Sequence, residues 1–446
     1  YSITVTPELP SDKFKIVTWT GNDTDGREIT VGFKPDFVWI KPRTITSSNR
    51  LFDSTRGATK FIISDSNAAE QTASNTLKSF SNTGFTVGIS SAVNDSSSTY
   101  VAWCFKTNGG TTSSNTDGTI TSTVQANTDA GFSVVSYTGT GANATIGHGL
   151  SSAPEIMIIK ELTSTRDWAV YSKYNTGGSG NPAEERLKLN TNDATVTYAP
   201  YWNSIEPTST VFNVGVEGNV NTSGQGYIAY VFAPVAGYSS FGSYTGNGST
   251  NGPIVETGFE PAFVMIKRTD STGVWVMLDN KRNLTNPRNS SLYANTSAQE
   301  DTGSTSGFYP MNFYSNGFQP IQNTGDYNAN NATYIYMAFA EDPDTTSPTL
   351  ADSFSTATYT GTGSDPLPIT GLGFKPGLVW IKTRDQAREH ILSDIVRGPN
   401  KEISSSDTSA EEARGVKSFD NDGFTLDNAT FNYNNNGEDY VAWAFK

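Results

Sequence analysis

Short apolar runs, five to seven residues long, are set between polar segments rich in Gly, Ser, Thr and Asn along the whole chain. In the run Tyr100-Val101-Ala102-Trp103-Cys104-Phe105, an extended backbone puts Val101, Trp103 and Phe105 on one face and Tyr100, Ala102 and Cys104 on the other. Val, Ile and aromatic residues bounded by Gly, Asn, Asp or Pro are strand chemistry. Large side chains on one face and small ones on the other suit a strand with a core face and a close-packed second face. Pro35 and its counterparts fall at strand starts, where a missing N–H leaves no ladder bond unmade. Helical spacing is nearly absent. Residues 67–77, with Ala68, Ala69 and Glu70, are predicted to form about two turns, and residues 409–416 match them.

These runs recur in a fixed order. Gly32-Phe33-Lys34-Pro35-Asp36-Phe37-Val38-Trp39-Ile40-Lys41 is echoed by Pro154 to Lys160, Gly258 to Lys267 and Gly373 to Lys382. Upstream of each lies an aromatic-Thr-Gly triplet: Trp19-Thr20-Gly21, Tyr137-Thr138-Gly139, Tyr244-Thr245-Gly246 and Tyr359-Thr360-Gly361. Downstream each copy closes on a run from Tyr to Phe: Tyr100 to Phe105, Tyr227 to Phe232, Tyr334 to Phe339 and Tyr440 to Phe445. The interval of roughly 105–120 residues is that of a small domain rather than a solenoid repeat. A propeller is disfavoured because its blades take about 40–50 residues.

The predicted fold is therefore all-β, with four tandem antiparallel β-sandwich repeats of about 100 residues. Their expected bounds are 1–106, 132–234, 235–341 and 354–446, with a linker holding a candidate strand at 107–131 and a second linker at 342–353. The first and fourth copies are closest, sharing Phe-Lys-Pro, Val-Trp-Ile-Lys and an Arg-Gly pair (Arg56-Gly57, Arg397-Gly398). That reads as a unit of three distinct copies, with a new unit beginning at the fourth. Tyr1 is followed by no signal-peptide pattern, so the chain is read as starting after processing or as a piece of a longer array.

Composition narrows the function. An aromatic share of 12% is too high for a disordered polar chain, and those rings need burial. A net charge of −14 repels phosphate backbones and argues against nucleic-acid binding. No run approaches the roughly 20 apolar residues of a membrane helix, so no membrane insertion is expected. Cys104 has no cysteine to pair with and is expected to be a small buried hydrophobe. His148 and His390 have no equivalents in other copies and are expected at the surface.

No recognised catalytic motif is present, so no catalytic residue, metal ligand or cofactor is assigned and the chain is expected to be non-enzymatic. Asp420-Asn421-Asp422-Gly423 has the oxygens for Ca²⁺ but fits turn chemistry equally well. An Asp-x-x-Arg pair recurs in three copies (Asp53/Arg56, Asp279/Arg282, Asp394/Arg397). It is read as a turn held by the Asp side chain with a partly exposed ion pair. The strand-end lysines Lys41, Lys160, Lys267 and Lys382 are read as solvated termini that blunt an edge. Aromatics outside the repeated strands are the better functional lead. Tyr198, Tyr201, Trp202, Tyr309 and Tyr314 are the candidate glycan-binding residues, because sugar rings stack on flat aromatic faces and the flanking segments supply Asn, Asp and Ser. Trp168 and Trp275 occupy equivalent strand positions, where core packing competes with that role.

The strings Gly32 to Lys41, Leu51 to Lys60 and Tyr100 to Lys106, with Asn115 to Ile120 and Phe241 to Ser249, resemble a repeat domain of virion proteins of tailed phages, marine and cyanobacterial ones especially. The resemblance covers nearly the whole chain and brings no catalytic residues. It implies a tail fibre or spike-like protein on the virion exterior. Its expected partners are other virion subunits, a host cell-surface glycan and further copies of itself, with a trimer among the candidates. A capsid-decoration or fibre-shaft role without receptor binding is the first alternative, and a polysaccharide depolymerase the second.

Overall fold

The computed structural model describes residues 13–303, 309–341, 354–428 and 431–446; the linker expected at 342–353 lies outside them. The chain divides into two compact units, Tyr1–Asp342 and Pro343–Lys446. Both are built almost wholly from antiparallel strands in separate sheets, none closed into a barrel among the described residues.

One strand order recurs, and the repeated sequence runs explain it. In the first module the opening strand Phe14–Thr20 and the lysine strand Phe37–Pro42 flank the closing strand Thr99–Phe105, and Arg50–Asp53 and Lys60–Ile63 extend the sheet. Closing strands Gly226–Phe232, Thr333–Phe339 and Asp439–Phe445 take the same central place in the other modules. Register is also kept: Phe105 opposes Phe14 and Phe37, and Phe445 opposes Phe354 and Leu378. A smaller sheet covers one face of each large sheet in the first, third and fourth modules, such as Arg27–Thr30 with Gly84–Val87 and Leu77–Phe80. Residues 107–131 do not behave as a linker: Ser113–Asn115 and Ser122–Asn127 join the second module's sheet beside Phe132–Thr138.

The aromatic-Thr-Gly triplet has a structural cause. Its ring stacks on the first Tyr of the closing run, with centroids 5.3 Å apart for Trp19–Tyr100, 5.0 Å for Tyr137–Tyr227, 5.0 Å for Tyr244–Tyr334 and 5.2 Å for Tyr359–Tyr440. That Tyr hydroxyl accepts from a backbone N–H five residues upstream, Asp95, Thr222, Ala329 or Asn435. The triplet's Gly lies against the same upstream residue. A Cβ at Gly21 would come 2.0 Å from the carbonyl oxygen of Asp95, and Gly139, Gly246 and Gly361 are crowded in the same way. The motif is a clamp on the turn that precedes the closing strand.

The first unit buries both faces of its large sheets. Tyr100, Ala102 and Cys104 pack inside the first module's own sandwich. Val101, Trp103 and Phe105 enter a second core shared with the equivalent faces of the second and third modules. At its centre Phe105, Phe232 and Phe339 form a triangle of rings with centroids 5.9, 5.1 and 5.7 Å apart. Each large sheet is thus separate, while this core is shared among the three. Since burial of apolar surface is the main favourable term in folding, the three modules stabilise one another.

Hydrogen bonds tie the modules in one cyclic sense. Trp168 Nε1 of the second module donates to Ile63 O of the first (2.9 Å), Trp275 Nε1 of the third to Lys188 O of the second (3.0 Å), and Asn49 Nδ2 of the first to Tyr293 O of the third (3.1 Å). Donors and acceptors sit at equivalent register positions, so the three contacts are one contact repeated around a pseudo-three-fold axis. Trp168 and Trp275 are therefore packing and bridging residues.

Several expectations are corrected. Residues 67–77 and 409–416 form no helix, and Gln71–Thr72 is a short strand. The lysines of the first three modules are buried rather than solvated: Lys160 Nζ donates to Glu161 O (2.6 Å), Lys267 Nζ to Gly273 O (2.9 Å) and Lys41 Nζ to Ser47 O. Each holds polar backbone at the end of its strand. Burial brings all three down to about 8. His148 is buried, accepting from Leu150 N at Nδ1 with Nε2 against Thr208 O, and burial lowers its pKa. His390 is half-buried and accepts from Trp380 Nε1 at 3.1 Å. Cys104 is fully buried, and burial pushes its thiol well up.

Candidate functional site

The five candidate aromatics part ways in the structure. Tyr201, Trp202 and Tyr309 are buried and cannot offer a face to a sugar, whereas Tyr198 is 40% and Tyr314 39% exposed. Local packing decides this. Trp202 Nε1 donates to Glu185 O at 3.0 Å inside the second module's core, and Tyr309 donates to Asp326 while packed edge-on to Tyr293 and Tyr327. Adjacent aromatics in a polar segment looked loop-borne, but they anchor the loop instead of decorating it. Tyr314 ends the strand Met311–Tyr314, with its hydroxyl donating to Gln319 Oε1 at 2.8 Å.

Tyr198 lies in a groove of about 490 Å³ on the second module. It is framed by a short strand pairing that recurs in the first module and by a longer segment that follows it here, an insertion holding Tyr198 and Tyr201. Asn181 caps a single turn, Pro182–Glu184, through a bond from Ala183 N, and the strand Glu185–Arg186 then pairs with Val196–Thr197. Tyr198 follows directly, held by its N–H on Glu184 O at 2.6 Å. The Arg186 guanidinium lies 5.5 Å from the centroids of both Tyr198 and Tyr201, a cation–π arrangement that fixes the ring's orientation. The Tyr198 hydroxyl donates to Glu217 Oε2 at 3.2 Å, and Asn219 donates to the Tyr201 hydroxyl.

The groove rim is charged. Lys188 pairs with Asp167 at 2.7 Å and Asn190 Nδ2 donates to Asp167 Oδ1 at 2.8 Å. Desolvation pulls the Asp167 carboxyl up, but those bonds and the Lys188 charge outweigh it and hold the pKa below the ordinary value. Arg166 stands 3.7 Å from Glu161, and Asn67 of the first module completes the wall. Chemically the groove offers one oriented ring, guanidinium, ammonium and amide donors, and two carboxylate acceptors. That set suits a polyhydroxylated ligand with a flat apolar face. Sequence reasoning found Tyr198 but missed Arg186, Lys188, Asp167 and Glu217. The alternation in Arg186-Leu187-Lys188, with Leu187 buried and both cations toward the groove, was the available signal.

The other sequence motifs resolve into scaffold. Asp53 accepts from Arg56 N at 2.8 Å and Arg56 Nε at 2.5 Å, and Asp279 and Asp394 repeat this with Arg282 and Arg397. The turn expectation stands on these bonds, but the first two pairs are buried rather than partly exposed, because a neighbouring module covers each. Tyr230 donates to Asp53 Oδ2 at 2.8 Å, and Trp103 Nε1 to Asp279 Oδ2 at 3.2 Å. Asp422 accepts from Gly371 N and Gly373 N, and Asp420 from Thr425 Oγ1, which is turn chemistry. Among the described residues no group of three His, Cys, Asp or Glu side chains is placed to hold a metal ion.

A family described as a domain of unknown function, DUF7483, matches residues 9–343 and 349–446. The chain belongs to that DUF7483 family. No curated protein matches it in sequence. The break in the DUF7483 match falls at the boundary between the two compact units, so the first matched segment spans three modules and the second spans one.

Proposed function

We propose that the chain is a non-enzymatic surface protein of a tailed-phage virion that adheres to host-surface glycans through the second-module groove. The observation that carries this reading is Tyr198, an exposed ring oriented by Arg186 and rimmed by hydrogen-bonding and charged side chains. The three cations Arg166, Arg186 and Lys188 outnumber Asp167 and Glu217 in the groove wall, which favours an acidic sugar in a protein that is acidic overall. Binding rather than cleavage is supported by the engagement of Asp167 with Lys188 and Asn190 and of Glu217 with the Tyr198 hydroxyl. The resemblance to phage repeat domains supports a position on the particle exterior, alongside other virion subunits.

The test is adsorption of the full chain to host cells and to purified host surface polysaccharide, beside Tyr198→Ala. Adsorption that Tyr198→Ala abolishes while the circular dichroism spectrum is kept supports the reading. No adsorption by the parent chain, or adsorption indifferent to Tyr198→Ala, would overturn it. New reducing ends on incubation would instead assign a depolymerase.

A further inference from the structure

The fourth module carries the same apolar face that the first three bury against one another, and in Pro343–Lys446 that face is open. Phe105, Trp103, Val101, Trp39, Phe37 and Leu51 are all buried in the shared core. Their register counterparts are Phe445, Trp443, Val441, Trp380, Leu378 and Leu392. Phe445 is 38% exposed and the other five are half-buried. The opposite face of the same strands, with Tyr440, Ala442 and Ala444, is fully buried in the module's own sandwich. Exposure is thus confined to the surface that faces the pseudo-three-fold axis in the first unit.

We infer that this face is a trimerisation surface, and that the fourth modules of three copies of the chain close a ring of the kind the first three modules close within one chain. Self-complementarity argues for copies of this chain. Around the first unit two of the three contacts run from a closing-strand residue of one module to the Asp-x-x-Arg corner of the next. Trp103 meets Asp279/Arg282 with its ring 5.7 Å from the guanidinium, and Tyr230 meets Asp53/Arg56. The second module has Ser172 and Asn175 at this corner and lacks the pair. The fourth module carries both halves, Trp443 and the pair Asp394/Arg397, on one surface. A head-to-tail interface of this sort closes into a ring when the rotation per contact fits, and the first unit demonstrates a rotation that closes at three.

One further detail agrees. In the first module the turn residue Thr55 is covered by the second module, accepting from Gln125 Nε2 at 2.7 Å. The equivalent turn of the fourth module bears Ile395 and Val396, both exposed, an apolar projection suited to a dry contact. This surface is distinct from the groove, and the inference stands whether or not the groove binds sugar.

The test is the mass of the full chain by light scattering at micromolar concentration, beside Phe445→Asp and Phe445→Cys. Three chain masses for the parent, one for Phe445→Asp with an unchanged circular dichroism spectrum, and a disulfide-linked two-chain band for Phe445→Cys under oxidation would support the inference. Cys104 is buried and does not compete for that cross-link. A parent of one or two chain masses, a trimer that survives Phe445→Asp, or Phe445→Cys chains that never cross-link would overturn it. Should Phe445→Asp fail to fold, the Phe445→Cys band alone decides.

Discussion

The indole Nε1 of Trp103 donates to Oδ2 of Asp279 at 3.2 Å, joining two fully buried residues of different modules. Asp279 also holds Arg282 at 2.6 Å, and Arg282 lies over the Trp103 ring. One bond thus locks a turn, an ion pair and an intermodule contact together. Asp279→Ala leaves a buried guanidinium without its partner, a loss of about 3–5 kcal/mol. Chemical denaturation followed by tryptophan fluorescence is expected to show it as a large drop in the midpoint of the first unit. The half-exposed pair in the fourth module gives the contrast: in the chain held as a monomer, Asp394→Ala is expected to shift the fourth module's midpoint by about 1 kcal/mol or less.

The clamp at the aromatic-Thr-Gly triplet makes Gly21 intolerant of any side chain. Gly21→Ala drives a Cβ into the Asp95 carbonyl, and the turn must shift with loss of the Trp19–Tyr100 stack. A destabilisation of about 1–3 kcal/mol is expected. Gly26→Ala serves as a comparison: its Cβ would meet no atom, so only backbone strain from its positive φ is added. Equal loss in the two variants would show that crowding is not the cause.

Stability should pass through a maximum at about pH 10. Lys41, Lys160 and Lys267 titrate at about 8 in the fold because burial disfavours their charge, against about 10.4 in the unfolded chain. Between those values the unfolded chain binds more protons, so stability rises with pH. Burial drives the hydroxyls of Tyr137, Tyr230 and Tyr244 well up. Above about pH 10 the unfolded chain therefore releases protons that the fold keeps, and stability falls. Thermal melts in closely spaced buffers should show Tm climbing from about pH 8, then declining, with Lys160→Met weakening the climb. A steady decline from neutrality would contradict the lysine assignment.

The two aromatics on either side of Pro200 should behave oppositely. Trp202→Ala empties a core position and is expected to destabilise by about 3–5 kcal/mol. Tyr198→Ala removes an exposed ring and should leave the denaturation midpoint within about 0.5 kcal/mol, since its hydroxyl bond to Glu217 is a surface contact. Parallel melts of the two variants check the assignment before any ligand is known.

Strand positions were legible in the sequence because the closing runs alternate cleanly and the repeats supply each strand's bounds. The two cores were less so. Val101, Trp103 and Phe105 are apolar, as are Tyr100, Ala102 and Cys104, and alternation reports that both faces are dry without saying what covers either. The shared core depends on contacts between residues more than a hundred positions apart, such as Trp168 with Ile63, which local periodicity does not encode. Lys41, Lys160 and Lys267 were misread because a lysine at a strand end is ordinarily solvated, whereas here each ammonium is buried against backbone carbonyl oxygen. Tyr201 and Trp202 were misread because their segment is polar and its anchoring function lies in tertiary contacts. The groove was only partly legible: its ring could be picked out, but the cation that orients it sits on a strand pairing shared with the first module, where Phe61 holds the place of Arg186.

A ring of identical subunits must repeat every substitution at each position, so a change helpful at the rim is imposed on the axis three times over. Carrying three modules on one polypeptide lifts that restriction, since the second could lose its Asp-x-x-Arg corner and gain an insertion while its neighbours kept theirs. Tethering also makes the first ring's assembly independent of dilution. Asymmetry on the outside is thereby reconciled with near-symmetry within.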